Sequence, residues 1–431
     1  MDPIVIGILG ICLLLFLISI GVPIGFALSA VGALGLFVMA GFSQASAQLS
    51  MLAWDKGTSF VFVCAPLFIL MGQIVHHAGL GSDLYDCSRK WFGRIHGGLA
   101  ITSVIASAGM AAVTGVSIAA IAAIGPMALP EMKKYKYDPK LATGSLCTAG
   151  TLAIMIPPSL GFVFYGILTD TSIGDLFIAG IIPGILLAIG FCLMIYIRCK
   201  INPELGPPGP KFSWRERLVS LNQLWPVMVL FLTVIGGIYG GFFTPTEAAG
   251  IGVSGVILIG LVKRRLTWNI IKLSLHHTAL LGAMVFPIIL GGYLISRFLI
   301  LTEVTESVVI FIGNLQISKY FILSLLIVLY LILGCILDSF GMMILTVPFV
   351  FPIILRLGFD PIWFGVFLTL MAETGLVTPP VGMCVYVVKD LAPDTRLEDV
   401  FAGAVPFVIV LLGMAGLLIA FPEIALCLLH K

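Results

Sequence analysis

Gly150-Thr151-Leu152-Ala153-Ile154-Met155-Ile156-Pro157-Pro158-Ser159 and Ala372-Glu373-Thr374-Gly375-Leu376-Val377-Thr378-Pro379-Pro380-Val381-Gly382 read as one device written twice. Each lies within an apolar run, at 141–168 and 362–388, long enough to cross a hydrocarbon layer of about 30 Å. Neither proline of a Pro-Pro pair donates a backbone N–H, and each ring obstructs the helical turn before it. Carbonyls around 153–157 and 375–379 therefore lose their usual partners. At mid-membrane such oxygens are costly unless something satisfies them, and a small hard cation such as Na⁺ is suited to the task.

The prolines around these breaks extend the match. A shift of 222 residues carries Pro23, Pro126, Pro130, Pro139, Pro157 and Pro158 onto Pro245, Pro348, Pro352, Pro361, Pro379 and Pro380. Pro3, Pro66 and Pro183 miss by one, at Pro226, Pro287 and Pro406. With proline at roughly 5% of positions, chance predicts about half a match in nine trials. The chain reads as two units, 1–200 and 223–431, joined by a linker at 201–222 that is rich in Pro and Gly from Asn202 to Phe212.

Hydrophobic residues make up 60% of the chain against 10% charged, with a mean hydropathy of +1.15. Too few polar side chains remain to cover a water-exposed globule, which excludes a cytosolic enzyme and marks an integral membrane protein. A net charge of +2 offers no basic surface for nucleic acid. Met1-Asp2-Pro3 lacks the basic start of a signal peptide, so the first apolar run is expected to stay as a span. The nine cysteines, scattered without CxxC or His neighbours, read as packing residues.

Ten crossings are expected, near 4–20, 24–40, 59–77, 141–168, 177–198, 224–242, 247–262, 275–299, 362–388 and 401–420. Two longer apolar stretches, 98–130 and 320–352, carry small or polar residues at their middles and read as re-entrant helical hairpins. Each unit then has five crossings, an odd number, so the second enters the membrane from the opposite face. The fold class is an all-α polytopic membrane protein of two inverted-topology repeats. On this topology 18 Lys and Arg fall on one side and five on the other, which makes the rich side cytoplasmic and both termini periplasmic. Inverted repeats with paired broken helices are the architecture of secondary transporters, with substrate and ion held near the midplane.

Hairpin arms of 14 to 16 residues rise roughly 21 to 24 Å, so the tips at Val113–Ser117 and Asp338–Gly341 pass mid-membrane. The expected cation ligands are Thr114, Gly115, Ser117, Gly150, Thr151 and Pro157 in the first unit. In the second they are Asp338, Ser339, Gly341, Thr374, Gly375, Thr378 and Pro379. Asp338 and Glu373 are the only acids expected near the midplane; Asp338 could neutralise a cation, and Glu373 could do so or carry a proton. Pro158, Ser159, Glu373 and Pro380 are candidate substrate contacts, and Arg297 could hold an anionic substrate by a bidentate carboxylate bond. Blander readings stand beside these. Hydroxyls in apolar helices bond back to their own carbonyls, a buried acid can be protonated and structural, and Arg297 can snorkel from a span end. His76-His77 and His276-His277 fall at span ends and read as interfacial. The sequence holds no nucleotide-binding loop, no metal-spaced cluster and no nucleophile elbow, so the expectation is a carrier driven by an ion gradient and not an enzyme.

At Ala65-Pro66-Leu67-Phe68-Ile69-Leu70-Met71-Gly72, at Ala149 through Ser159, at Ser172-Ile173-Gly174-Asp175-Leu176-Phe177-Ile178-Ala179-Gly180-Ile181-Ile182-Pro183-Gly184 and at Thr378-Pro379-Pro380-Val381-Gly382, the chain resembles the large membrane subunit of tripartite ATP-independent periplasmic (TRAP) transporters. The resemblance runs from residue 1 to about 420. It implies a Na⁺-driven, elevator-type importer in the bacterial inner membrane, working with a small four-span membrane subunit and a soluble periplasmic binding protein. That receptor would deliver organic-acid anions such as C4-dicarboxylates or sialic acid. Val116 interrupts the expected hydroxyl run of the first tip, and Cys384 stands where many relatives have Asn. A stand-alone cation-coupled anion carrier without a receptor is the other reading of the same residues.

Overall fold

Asp138 and Asp360 set the two halves in register. Each carboxylate accepts the N–H groups of the two residues after the following proline, and Pro139 and Pro361 occupy the first helical turn, where a missing N–H costs nothing. The chain, here a computed structural model, is described at residues 2–314, 317–335 and 337–429, and those residues form helices with no strand.

The first half comprises α1 (Pro3–Ser19), α2 (Ile24–Gly57), α3 (Cys64–His77), α4 (Leu80–Phe92), α5 (Gly98–Thr114), α6 (Ser117–Lys134), α7 (Pro139–Ala149), α8 (Leu152–Met155), α9 (Leu160–Thr169) and α10 (Ile173–Ile201). A short α11 (Trp214–Leu221) follows in the linker. The second half comprises α12 (Trp225–Tyr239), α13 (Pro245–Val262), α14 (Trp268–Leu301), α15 (Val304–Asn314), α16 (Lys319–Gly334), α17 (Ser339–Arg356), α18 (Pro361–Gly375), α19 (Met383–Leu391), α20 (Leu397–Ala420) and α21 (Glu423–Leu426). Moved by 222 positions, α6 coincides with α17, while α1, α4, α5, α7, α9 and α10 fall within a few residues of α12, α15, α16, α18, α19 and α20. The halves differ in one joint. α2 continues for 34 residues across a non-helical Gly41 and then breaks before α3, whereas α13 ends early and α14 runs 34 residues without a break.

Seven helices among the described residues are long and apolar enough to cross a membrane, and two bent pairs, α7–α8 with α9 and α11 with α12, raise this to nine. The ten expected crossings differ from this set at three places. α1 has only 17 residues, α18 and α19 are separated by the non-helical stretch 376–382, and α17 is long enough to be counted although it is a hairpin arm. Lys431, counted on the outer side, lies outside the described residues, as does Ile336 near the second tip.

Two segments read as loops are helical. α4, at 80–92, buries Leu80, Leu84, Tyr85 and Cys87 along one face, and α11 sits in the linker. Neither is long enough, or apolar enough, to read as a span. α4 ties neighbours together through charge: Asp83 accepts Lys263 Nζ at 2.6 Å and both guanidinium nitrogens of Arg265 at 3.0 Å, while Arg89 bridges Asp86 and Glu131 of α6 at 2.8 Å each.

α2 and α14 form the closest seam. A Cβ placed on Gly25 or Gly32 would lie 2.7 Å from the backbone nitrogen of Ile288 or Ile295, so a side chain at either position would part the helices. The histidines expected at the interface do more than border it: His77 Nε2 lies 3.2 Å from His277 Nδ1, joining α3 to α14.

Candidate functional site

Both hairpins turn at residues chosen for backbone geometry. Gly115 follows α5 with φ +63°, Val116 is extended, and α6 starts at Ser117. A Cβ on Gly115 would lie 2.7 Å from the Pro158 carbonyl oxygen, and the Gly115 carbonyl accepts the Leu160 N–H at 3.3 Å. The first tip is thus seated against the first Pro-Pro break. At the second tip, Asp338 caps α17 by accepting the Gly341 N–H at 3.2 Å, and the Cys335 thiol lies 3.2 Å from the Pro379 carbonyl. The second tip is seated against the second break. Gly334 and Gly375 meet backbone to backbone, where neither tolerates a side chain.

The two tips meet at one carboxyl. Ser117 Oγ donates to Glu373 Oε2 at 2.6 Å, and Ser339 Oγ donates to Glu373 Oε1 at 2.9 Å. Ser117 and Ser339 are the first residues of α6 and α17 and occupy the same position of the repeat. Glu373 is 0% exposed, and no Lys, Arg or His pairs with it among the described residues. A buried carboxylate with two hydroxyl donors and no cationic partner requires either a proton or a cation.

The remaining candidates divide. Thr114, Thr151, Thr374 and Thr378 donate their hydroxyl protons to Met110, Thr148, Leu370 and Gly375 carbonyls at 2.9, 2.6, 2.8 and 3.1 Å. That is ordinary back-bonding, and it leaves the hydroxyl lone pairs free to accept. Gly150 packs beside Ser117, its added Cβ falling 3.1 Å from the Ser117 carbonyl. The hydroxyl of Ser159 caps α9 through the Phe162 N–H at 3.4 Å. Arg297 lies apart from this group, exposed in a cavity of about 330 Å³ with Asp55, Lys56, Tyr293 and Ser296.

The backbone oxygens of the second break are less bare than the Pro-Pro reading expects. The Gly375 carbonyl accepts the Thr378 N–H at 3.3 Å and its hydroxyl, and the Leu376 carbonyl accepts the Cys384 N–H at 3.2 Å. The turn at 376–382 supplies donors that a proline cannot. In the first break, the Leu160 N–H that a continuous helix would give to Ile156 goes instead to Gly115. Both Pro-Pro bonds are cis. Their exposure differs: Pro157, Pro158 and Ser159 are buried, whereas Pro379, Pro380 and Val381 are exposed.

Sequence reasoning missed the tyrosines that lock the surroundings. Tyr165 donates to the Pro361 carbonyl at 2.6 Å, Tyr293 to the Ile167 carbonyl at 2.5 Å, and Tyr330 of α16 to Thr346 Oγ1 of α17 at 2.9 Å. Tyr165 and Tyr293 each join the two halves, and their only sequence signal is a hydroxyl within an apolar stretch of a helix. Tyr293 and Lys56 also border an 810 Å³ cavity between α9–α10 and α13, with Asp170, Ser172, Thr244 and Glu247.

A family model described as tripartite ATP-independent periplasmic transporter, DctM component, matches residues 11–424. The chain belongs to this family. It is 33% identical to the C4-dicarboxylate TRAP transporter large permease protein DctM of Pseudomonas aeruginosa, over 88% of this chain and 89% of that one. It is 32% identical to the ectoine/5-hydroxyectoine TRAP transporter large permease protein UehC of Ruegeria pomeroyi, over 96% of each. In three dimensions it is similar to the crystal structure of the YdaH transporter of Alcanivorax borkumensis, with a TM-score of 0.67 over 98% of each chain and 14% identity, a likeness of fold. As a TRAP large subunit the chain is a multi-pass component of a secondary transporter, and the family implies a small membrane subunit and a periplasmic binding protein beside it.

Proposed function

We propose that this TRAP subunit translocates an organic-acid anion, C4-dicarboxylate or sialic-acid-like, across the bacterial inner membrane, coupled to Na⁺ and fed by the periplasmic receptor. The observation that carries the reading is the meeting of Ser117 and Ser339 on Glu373, because it puts both hairpin tips around one buried acid. The carboxylate supplies the charge a cation needs. The threonine lone pairs and the carbonyls at the breaks supply neutral oxygens, the ligand type a hard cation takes. A cation so bound would offset the charge of an arriving anion and hold the two tips together.

In this reading the two halves are inverted repeats, the hairpins and broken helices travel as one body, and α2 with α14 belongs to the stationary frame, an elevator. Pro158, Ser159 and Pro380 border the anion, and Arg297 with Lys56 attracts it to the outer cleft. The names of the relatives print both C4-dicarboxylate and ectoine; at this chain's cleft Asp55 lies 3.4 Å from Lys56, and Arg297 is the basic group that favours an anion.

Uptake into proteoliposomes containing both membrane subunits tests the proposal, with and without receptor and under separate Na⁺ and H⁺ gradients. We expect accumulation only with receptor and an inward Na⁺ gradient. Full uptake without receptor would support the stand-alone carrier, and uptake on a H⁺ gradient with no Na⁺ would make Glu373 a proton carrier and remove the Na⁺ assignments.

A further inference from the structure

The surface of α11 is unusual for a linker. A capping box between Ser213 and Glu216 fixes its start. Its back is seated on α4: Ser220 is buried within 3.4 Å of the Cys87 thiol, and the indole N–H of Trp91 donates to the Arg217 carbonyl at 3.2 Å. At about 100° per residue, Trp214, Leu218 and Leu221 share one narrow sector off the seated face, with the Trp214 ring edge-on to Trp91 of α4 at 6.4 Å between ring centres. They are 70%, 60% and 43% exposed. Arg215 and Arg217 fall on opposite sides of that sector, and the Arg217 guanidinium lies 5.2 Å from the Trp214 ring centre.

The apolar sector does not stop at the end of α11. α11 meets α12 at a bend of 42°, and the stripe continues into the outward residues Trp225, Met228, Val229 and Leu232. α12 has 15 residues and counts as a crossing only together with α11 across the bend; with α12 in the hydrocarbon, its outward residues would face lipid tails and the bend would carry α11 toward the level of the headgroups. α12 and α13 are successive crossings, which returns the start of α14 to the same level. There Trp268 is 66% exposed, with Lys272 Nζ 5.7 Å from its ring centre. On that placement Trp214, Trp225 and Trp268 would lie at one face of the membrane, as an aromatic belt does.

We propose that α11 is an interfacial anchor that binds anionic phospholipid, with Trp214, Leu218 and Leu221 in the acyl–headgroup boundary and Arg215 and Arg217 on the phosphates to either side. An apolar wedge between two guanidinium groups complements a negatively charged headgroup above its chains. A protein partner would need its own acidic groups at both flanks of one helix turn. A leaflet supplies them everywhere.

The test uses the full chain in nanodiscs of phosphatidylcholine, with or without phosphatidylglycerol, carrying bromine on the acyl chains of one lipid at a time. The Trp214 emission is obtained as the difference between wild type and Trp214→Phe. We expect this emission to be quenched by brominated lipid, more strongly by phosphatidylglycerol, and to be protected from aqueous acrylamide. The Arg215→Gln/Arg217→Gln variant, which keeps the tryptophan, should lose that headgroup preference several-fold. Quenching by acrylamide without quenching by brominated lipid would overturn the proposal. So would loss of the lipid quenching when the small membrane subunit is added, which would assign the surface to that protein.

Discussion

Glu373 joins the two hairpin tips through a single carboxyl. Its two oxygens are held by Ser117 and Ser339, and the group is buried with no basic side chain on it. Glu373→Gln keeps the shape and removes the charge. A unit negative charge within about 4 Å of a cation attracts it by about 4 kcal/mol at an effective dielectric of about 20, so even a third of that lost predicts a roughly tenfold rise in the Na⁺ concentration for half-maximal uptake. An unchanged Na⁺ activation curve would place the cation elsewhere. Ser117→Ala and Ser339→Ala each strip one carboxylate oxygen, so each should cost about 1–3 kcal/mol, read as lower thermal stability of the detergent-solubilised protein and weaker Na⁺ activation; an effect in only one of them would deny that the tips share the acid. Gly115→Ala must hold a side chain at φ +63° against the Pro158 oxygen. A loss of at least about 1–2 kcal/mol is expected from the left-handed backbone alone. Sequence reasoning reached all three members of this site, since an acid within an apolar run and two serines one repeat apart are visible in the chain. It could not join them, because Ser117 and Glu373 are 256 residues apart and meet only through packing. An Asp three residues before Gly341 also has the pattern of a helix cap, and one oxygen of Asp338, Oδ1, accepts the Gly341 N–H in that role.

At the scale of elements, the two Asp-Pro starts offer a matched pair. Asp138→Ala and Asp360→Ala each remove a carboxylate that holds two N–H groups of the first turn, so each is expected to lower stability by about 1 kcal/mol. Unequal losses in thermal unfolding would mean that the two broken helices are not equivalent supports. α4 makes a different demand. Its Asp83 is buried, but its partners Lys263 and Arg265 are partly exposed, with side chains 17% and 39% accessible. Asp83→Asn should therefore cost about 1–2 kcal/mol, below the range of a fully buried pair, and should loosen α4 from the α13–α14 turn, detectable as faster amide exchange at 263–267. The long apolar elements are legible from hydropathy, and the proline spacing carries the correspondence of α6 with α17 and of α7 with α18. The short amphipathic helices α4 and α11 are not legible in this way. Half of each faces polar groups, so a search for uninterrupted apolar runs passes over them, and Asp83 acquires its partners from a turn 180 residues away.

For the molecule as a whole, the telling feature is unequal exposure of equal positions. Ser159 and Val381 correspond under the 222-residue shift, yet Ser159 is 1% exposed and Val381 is 38%. If the halves exchange conformations during transport, the opposite state should bury 381 and open 159. In a cysteine-free background, Val381→Cys is expected to react with a membrane-impermeant maleimide and Ser159→Cys to be protected in the state described here. Conditions that favour the opposite state should reverse the order, and labelling that never reverses would argue against alternation between the halves. The serine–carboxylate contact sets a rule for that exchange. One acid draws a hydroxyl from each of two hairpins, so withdrawing either leaves an oxygen bare in a dry interior. On the proposed function, a state that parted one tip from the acid would be penalised, which would favour moving both tips together and leave ions little opportunity to slip through unaccompanied.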